Sequence, residues 1–284
     1  RCGLGPQFHE DSQPQVDALE TLLPFVDIHC HLLPELDDGA GSWSDALSMS
    51  AMAARDGIAT IVATVHQLGN FASNHGDTIR AQADRLQAKL DRRGIPLEVL
   101  PGADVRIEPG MIRKIRSGEV LTLGDRGYHV LLELPHEVYL PLDRLLADLK
   151  KAGLTGILSH PERNQGIISR PAVVESLVHS GCLIQVTAAS LTGGFGGRAR
   201  GVAEWLVRQG LVHFVSTDAH SPRSRPPLLG EAYDRVVELV GSPLATELFC
   251  QNPAAVAEGR PVAAGPRKTT KPARRTWFFW NRAA

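Results

Sequence analysis

Phe25-Val26-Asp27-Ile28-His29-Cys30-His31 closes an apolar run with a His-x-His pair, and Asp37-Asp38-Gly39 follows a few residues on. On a strand successive side chains alternate faces, so His29 and His31 project to one side and Cys30 to the other. Two imidazoles about 6–7 Å apart along a strand can converge on one metal ion or on two neighbouring ones. The same grammar returns in Ser216-Thr217-Asp218-Ala219-His220, a second period-2 pair at the end of an apolar run.

Outward from these two stretches the chain alternates apolar runs with helical patterns. Strands are expected at 25–29, 58–64, 97–100, 128–134, 155–159, 182–187 and 212–217. Helices are expected at 44–56, 78–93, 142–152, 171–180 and 200–209, capped at the first by Ser42 or Ser44 and each stopped at or near a glycine such as Gly57, Gly94, Gly153, Gly181 or Gly210. Two closing helices follow, near 230–240 and 243–251. Seven β/α repeats whose strands are too apolar for a one-sided sheet imply a parallel sheet covered by helices. His29, His31, His66, Asp104, Glu133, His160, Asp218 and His220 all fall at or just beyond strand C-termini, on six of the seven strands. A doubly wound sheet gathers ligands at one or two switch points, whereas a β/α barrel carries its site on that whole face. The expected fold is therefore α/β, a closed or nearly closed barrel.

Composition is that of an ordinary globular chain: 284 residues, 43% apolar, 21% charged. A net charge of -1 gives no case for nucleic acid. Cys2, Cys30, Cys182 and Cys250 are scattered without a C-x-x-C pair, which fits a reducing cytoplasm better than a disulfide framework. No run approaches the ~20 apolar residues of a membrane span, and no signal-peptide pattern is present. Residues 1–23 read as a loose leader, 24–262 as one domain and 263–284 as a disordered tail. That tail carries Arg267, Lys268, Lys271, Arg274, Arg275 and Arg282 with no acid, beside Trp277-Phe278-Phe279-Trp280. A solvated extension is the plain reading; weak contact with an anionic membrane surface is the functional one.

The candidate ligands are His29, His31, Asp38, His66, Asp104, Glu133, His160, Asp218 and His220. Oxygen and imidazole donors without thiolate suit Mn, Fe or Zn and do not suit a structural thiolate zinc site. Nine donors exceed one ion's needs, so two or three ions bridged by a carboxylate are expected, with Glu133 as the bridge. A lone histidine at a strand end is ordinarily structural; five at one face are not explained that way. His9, His75, His129, His136, His179 and His213 lack such placement and read as ordinary. Arg163, in His160-Pro161-Glu162-Arg163, and Arg225, in Ser224-Arg225-Pro226-Pro227, add guanidinium forks that match phosphate oxygens. Gly193-Gly194-Phe195-Gly196-Gly197 lacks the Lys-Ser/Thr of a P-loop and reads as a flexible loop over the site. The residues six beyond the cysteines are Phe8, Leu36, Ala188 and Val256, so the Cys-x5-Arg signature of cysteine phosphatases is missing.

Taken in order, Asp27-Ile28-His29-Cys30-His31, Asp37-Asp38-Gly39, Thr64-Val65-His66, Gly102-Ala103-Asp104, Leu132-Glu133, Ser159-His160-Pro161-Glu162-Arg163 and Thr217-Asp218-Ala219-His220 with Arg225-Pro226-Pro227 resemble the PHP (polymerase and histidinol phosphatase) superfamily. Within it they are most similar to the bacterial manganese-dependent protein tyrosine phosphatases of capsule and exopolysaccharide clusters. The resemblance spans about residues 25–262. It implies a distorted (β/α)7 TIM-like barrel of PHP type, a site of two or three Mn2+ ions, and a bacterial tyrosine autokinase as the phosphotyrosine substrate. It selects Asp38 over Asp37 as ligand. It implies hydrolysis by metal-activated water, with Arg163 and Arg225 binding the phosphoryl oxygens and His66 or Asp218 assisting the leaving phenol. The chain departs from the family at Asp104, where Glu is usual, and at Gln67, where a basic residue or His is frequent. Two other functions compete with this one: a PHP-type phosphoesterase on a small molecule such as histidinol phosphate, and a non-catalytic metal-binding regulator.

Overall fold

The computed structural model describes residues 23–269. Seven strands lie in sequence order in one all-parallel sheet: β1 (Phe25–Cys30), β2 (Ile58–Gln67), β3 (Glu98–Arg106), β4 (His129–Glu133), β5 (Thr155–Ser159), β6 (Leu183–Thr187) and β7 (Phe214–Ser216). The sheet curls into a nearly closed barrel. Between β1 and β7 there is one isolated parallel bridge, Cys30 to Ala219, with His31 N donating to Ala219 O at 2.9 Å and Asp218 N to His29 O at 2.7 Å. Below that bridge the Asp27 carboxylate bridges the seam, taking Thr217 Oγ1 at 2.5 Å and Thr217 N at 3.1 Å. Burial pushes the Asp27 carboxyl up to about 6. This closure supports the TIM-like barrel expected from the ligand distribution.

Inward-facing residues form two layers, as period-2 strands in a barrel require. The lower layer is apolar: Val26, Ile28, Val62, Leu131, Ile157, Leu183 and Phe214, plugged from beneath by Leu123, Val256 and Ala257. Two residues further along each strand the inward positions become polar: Thr64 and His66, Glu133, Ser159, Gln185, Ser216 and Asp218. In β1 the pairing with β2 slips between Asp27 and Cys30. That slip lets Ile28 fill the lower layer while His29 and His31 enter the upper one; Cys30 faces the outer core between sheet and helices.

β2 and β3 run further than expected, so His66 and Asp104 lie inside strands rather than beyond their ends. Helix Trp43–Arg55 starts on Ser42, whose Oγ accepts from Asp45 N at 3.1 Å. The helix expected at 200–209 begins earlier, at Gly196–Arg208, and the last one continues through a π turn, Glu247–Gln251, to Asn252–Ala257. Short helices Met111–Arg116, Gln165–Ser169 and Ala188–Thr192 were not expected; five or six residues carry too little periodicity to read.

The chain stays packed beyond the expected boundary at 262. Arg267 N donates to Gly210 O at 2.6 Å, and its guanidinium pairs with Glu247 at 3.2 Å. The leader up to 22 and the tail from 270, with Trp277-Phe278-Phe279-Trp280, lie outside the described residues. No helix among the described residues is long and apolar enough to cross a membrane.

Candidate metal centre

The upper layer brings all nine expected ligands together. They form four overlapping groups whose donor atoms lie within 4.8 Å of one another: His31, Asp38, His66 and His220; His29, His31 and Asp104; His29, His160 and Asp218; His66, Asp104 and Glu133. Among the described residues the carboxylate shared between two groups is Asp104. Glu133, the expected bridge, belongs to one. Asp218 Oδ1 also sits between donors, 3.2 Å from His29 Nε2 and 3.5 Å from His31 Nε2.

The Asp37-Asp38-Gly39 turn serves both shells of the site. The Asp37 side chain is buried and accepts from His31 Nδ1 at 2.8 Å, His66 N at 2.9 Å and Gly39 N at 2.9 Å. Asp38 is more exposed and faces His66 Nε2 at 3.6 Å and His220 Nε2 at 3.5 Å. His220 beside it holds the Asp38 carboxyl below its usual range. Gly39 lies so close under the first strand's exit that a Cβ there would come within 2.3 Å of His31 O and 2.5 Å of His31 Cβ.

The donor chemistry fits cations. His29 Nδ1 meets Gln185 Oε1 at 2.9 Å and His31 Nδ1 meets Asp37 Oδ2, so each neutral ring carries its proton on Nδ1. The two bare Nε2 atoms then face each other at 3.2 Å. Asp104 Oδ2 lies 3.5 Å from His29 Nε2, and both Asp104 oxygens are buried without any hydrogen-bond partner. Converging lone pairs without protons are stable only around positive charge. The protein's own response says the same. Burial lowers the His29 imidazole to about 3 and, with Glu133, raises Asp104 well above the carboxylate range. Without an ion that positive charge falls to His31: burial would lower the ring, but Asp37 and Asp218 override it and raise it to about 10, so its Nε2 then carries a proton that a cation would displace.

Two arginines close one side. Arg163 Nη2 and Arg225 Nη2 both reach Asp218 Oδ2, at 2.5 and 2.6 Å, and Arg225 also donates to Asp218 O at 2.8 Å. Neither Nε has a partner. The Phe195 ring lies beneath both, 4.5 Å from Arg163 Cζ and 5.5 Å from Arg225 Cζ. Arginines and ligands share a cavity of about 450 Å3, lined also by His136, Arg198 and Ile168. His160 and Asp218 take left-handed backbone, φ 31° and 50°, local strain of the kind concentrated at working sites.

This geometry redistributes several expected roles. Burial works against ionised Asp218, but His29 and Arg163 outweigh it and hold the carboxyl well below its usual range, which suits a ligand and not a proton donor. His66, lowered to about 4 by burial and by His31, carries no spare proton at neutral pH. Gln67 faces away from the cavity: its Nε2 donates to Asn74 O and Glu119 O, and its Oε1 accepts from Leu121 N. Phe195 in the glycine stretch lines the cavity rather than flanking an open loop. Asp37, Gln185, Phe195 and His136 were not singled out by sequence. Asp37 left a signal there in the doubled Asp before Gly39, and Phe195 in the glycine stretch that reads as a loop over the site.

The family model for capsular polysaccharide synthesis, CpsB/CapC, matches residues 25–258. The tyrosine-protein phosphatase YwqE of Bacillus subtilis is 38% identical over 202 residues, 70% of this chain and 79% of that protein. The tyrosine-protein phosphatase CpsB of Streptococcus pneumoniae is 27% identical over 233 residues, 80% of this chain and 96% of that protein. A crystal structure from work on YwqE and CpsB, described as unique metal-dependent tyrosine phosphatases, superposes with a TM-score of 0.81 at 34% identity, covering 87% of this chain and 99% of that one. The lactonase Lmo2620 of Listeria monocytogenes, at 14% identity and a TM-score of 0.52, shares the fold alone.

Proposed function

The chain belongs to the CpsB/CapC family of capsular polysaccharide synthesis, and from that premise we propose that it is a metal-dependent protein-tyrosine phosphatase, a phosphoric monoester hydrolase. The observation that carries the reading is the meeting of Arg163 and Arg225 on Asp218 Oδ2, itself a member of the ligand cluster. Guanidinium forks match phosphate oxygens, and here two of them border the donors that would hold the ions.

His29, His31, Asp38, His66, Asp104, Glu133, His160, Asp218 and His220 would hold two or three ions; Mn2+ is the proposed metal, with Fe and Zn as alternatives. Bound ions would supply water of lowered pKa and neutralise charge on both the entering and leaving oxygens. The residues of this chain do the rest. Arg163 and Arg225 bind and orient the phosphoryl group. Asp218 keeps the two guanidiniums together, and Asp37 and Gln185 aim the imidazoles of His31 and His29. Neither Asp218 nor His66 holds a proton to give, but a phenol of pKa about 10 departs more readily than a serine alkoxide. Cysteine chemistry has no support among the described residues: Cys30, Cys182 and Cys250 are buried, and burial pushes their thiols up, the last two to about 12 and about 11.

The substrate is proposed to be a phosphotyrosine protein, with a bacterial tyrosine autokinase as partner, in the cytoplasm. The gathered ligand set argues against a non-catalytic regulator, and the similarity to tyrosine-protein phosphatases favours a phosphotyrosine protein over a small metabolite. Metal-stripped protein assayed on a phosphotyrosine peptide tests the reading. Activity should return with Mn2+, and be lost in both His160→Ala and Arg163→Ala. Protein that retains metal and leaves the peptide intact would refute it.

A further inference from the structure

We propose that Phe195 is a positioning residue whose ring face fixes Arg163 and Arg225 in the paired orientation that receives a phosphoryl group. The proposal rests on the phosphatase reading given above, and adds to it the element that holds the anion fork in shape.

Two guanidiniums side by side repel each other. Asp218 Oδ2 opposes that repulsion at one nitrogen of each, Nη2, at 2.5 and 2.6 Å. Arg163 has that one contact, and Arg225 adds only Nη2 to Asp218 O at 2.8 Å, so each guanidinium is anchored through a single nitrogen and its plane can turn about it. Phe195 removes that freedom. Its ring lies 4.5 Å from Arg163 Cζ and 5.5 Å from Arg225 Cζ, inside the range where the negative ring face attracts a cation. The same ring lines the cavity that holds the ligands.

The local sequence is organised around placing this one side chain. Phe195 immediately precedes helix Gly196–Arg208 and is bracketed by Gly193 at φ 97° and Gly196 at φ 83°, left-handed turns that L side chains rarely adopt. Between them, a Cβ on Gly194 would press to 3.3 Å against Ala189 O and Ala189 Cβ. The stretch has no P-loop pattern and binds nothing through its backbone in the reading above. An aromatic platform for the arginines accounts for both the glycines and the single aromatic among them.

The experiment compares Mn2+-loaded wild type with Phe195→Leu, Phe195→Ala, Phe195→Tyr and Phe195→Trp. Three quantities are read in each: inorganic phosphate binding by calorimetry, kcat and KM on a phosphotyrosine peptide, and bound metal. Leu keeps apolar bulk and removes the π face; Tyr and Trp keep the face. Leu and Ala should weaken phosphate binding and lower kcat/KM by about tenfold, with metal content unchanged, while Tyr and Trp stay within about threefold of wild type. Phe195→Leu matching wild type in both phosphate binding and kcat/KM would overturn the proposal, as would losses in Leu that track lost metal. Wild type that binds phosphate yet hydrolyses no peptide would sink the phosphatase reading instead, and the phosphate affinities of the Leu and Tyr variants would still decide the role of Phe195.

Discussion

Asp37 accepts a hydrogen bond from His31 Nδ1 at 2.8 Å, and with the same oxygen takes His66 N at 2.9 Å. One carboxylate thereby orients the candidate ligand just past β1 and the backbone that carries the one on β2. Partners behind metal ligands commonly account for 10–100-fold in affinity. Asp37→Ala should weaken metal binding by about that factor, and Asp37→Asn, which keeps one acceptor oxygen, by less. Calorimetric titration of stripped protein with Mn2+ measures both; affinities equal to wild type would show that His31 needs no such support.

Asp104 gives a prediction that changes sign with metal. Its two oxygens are buried and unpartnered, and burial together with Glu133 raises its carboxyl well above the usual range. In stripped protein a carboxyl raised above its unfolded-state value costs stability at neutral pH, a cost that the non-titrating amide of Asn does not carry. Asp104→Asn should therefore melt higher than wild type in EDTA. With metal added the order should reverse, because ligand-linked stabilisation follows affinity for the native state. Thermal denaturation with and without Mn2+ checks both halves, and a variant less stable in EDTA would refute the account.

The barrel and its candidate ligands were legible in the sequence because six of the seven β/α units end their apolar run at or near a charged or imidazole residue. Period-2 alternation then fixes which face that residue takes. His29, His31, Asp218 and His220 could be placed from spacing alone. What the sequence hid depends on contacts between distant elements. Gln185 meets His29 across 156 residues and leaves no local pattern; Phe195 sits in a glycine stretch that the sequence shows, but the arginines it lies beneath are on two other loops. Glu133, expected as the bridge, belongs to one donor group and Asp104 to two, since β3 runs on to Arg106 and carries Asp104 inside the barrel between His29 and His66. Gln67 drew notice as a departure near the site, yet its amide ties Asn74, Glu119 and Leu121 together behind β2.

Arginine shape should matter more than arginine charge. Arg225 Nη2 alone reaches both Asp218 Oδ2 and Asp218 O, which leaves the other two guanidinium nitrogens for an anion, whereas an ammonium has a single nitrogen to serve both. Arg163→Lys and Arg225→Lys should each lower kcat/KM by about 100-fold or more, the scale seen when one preorganised transition-state donor is lost. Metal content should stay at the wild-type level. Lys variants within about fivefold of wild type would show that positive charge alone suffices.

Acid should destabilise the stripped protein partly through two histidines remote from the ligands. His129 and His213 are fully buried. Burial lowers His129 to about 4, and burial with Arg267 lowers His213 to about 3, against 6.5 for an ordinary imidazole. The folded state keeps both neutral while the unfolded chain takes up protons below about pH 6.5, so stability falls as pH drops from there towards 4. Above that range neither group changes stability with pH. Each histidine adds up to about 1.4 kcal/mol per pH unit to the slope within the window. His129 has no hydrogen-bond partner on either nitrogen, so His129→Leu removes one proton's worth of slope without orphaning another group. Urea denaturation in EDTA at pH 7.5, 6 and 5 should show wild type and His129→Leu diverging as pH falls, with the variant the more stable at pH 5. Parallel pH profiles would mean that His129 finds a partner or solvent when protonated, and the acid limb would then belong to the ligand histidines.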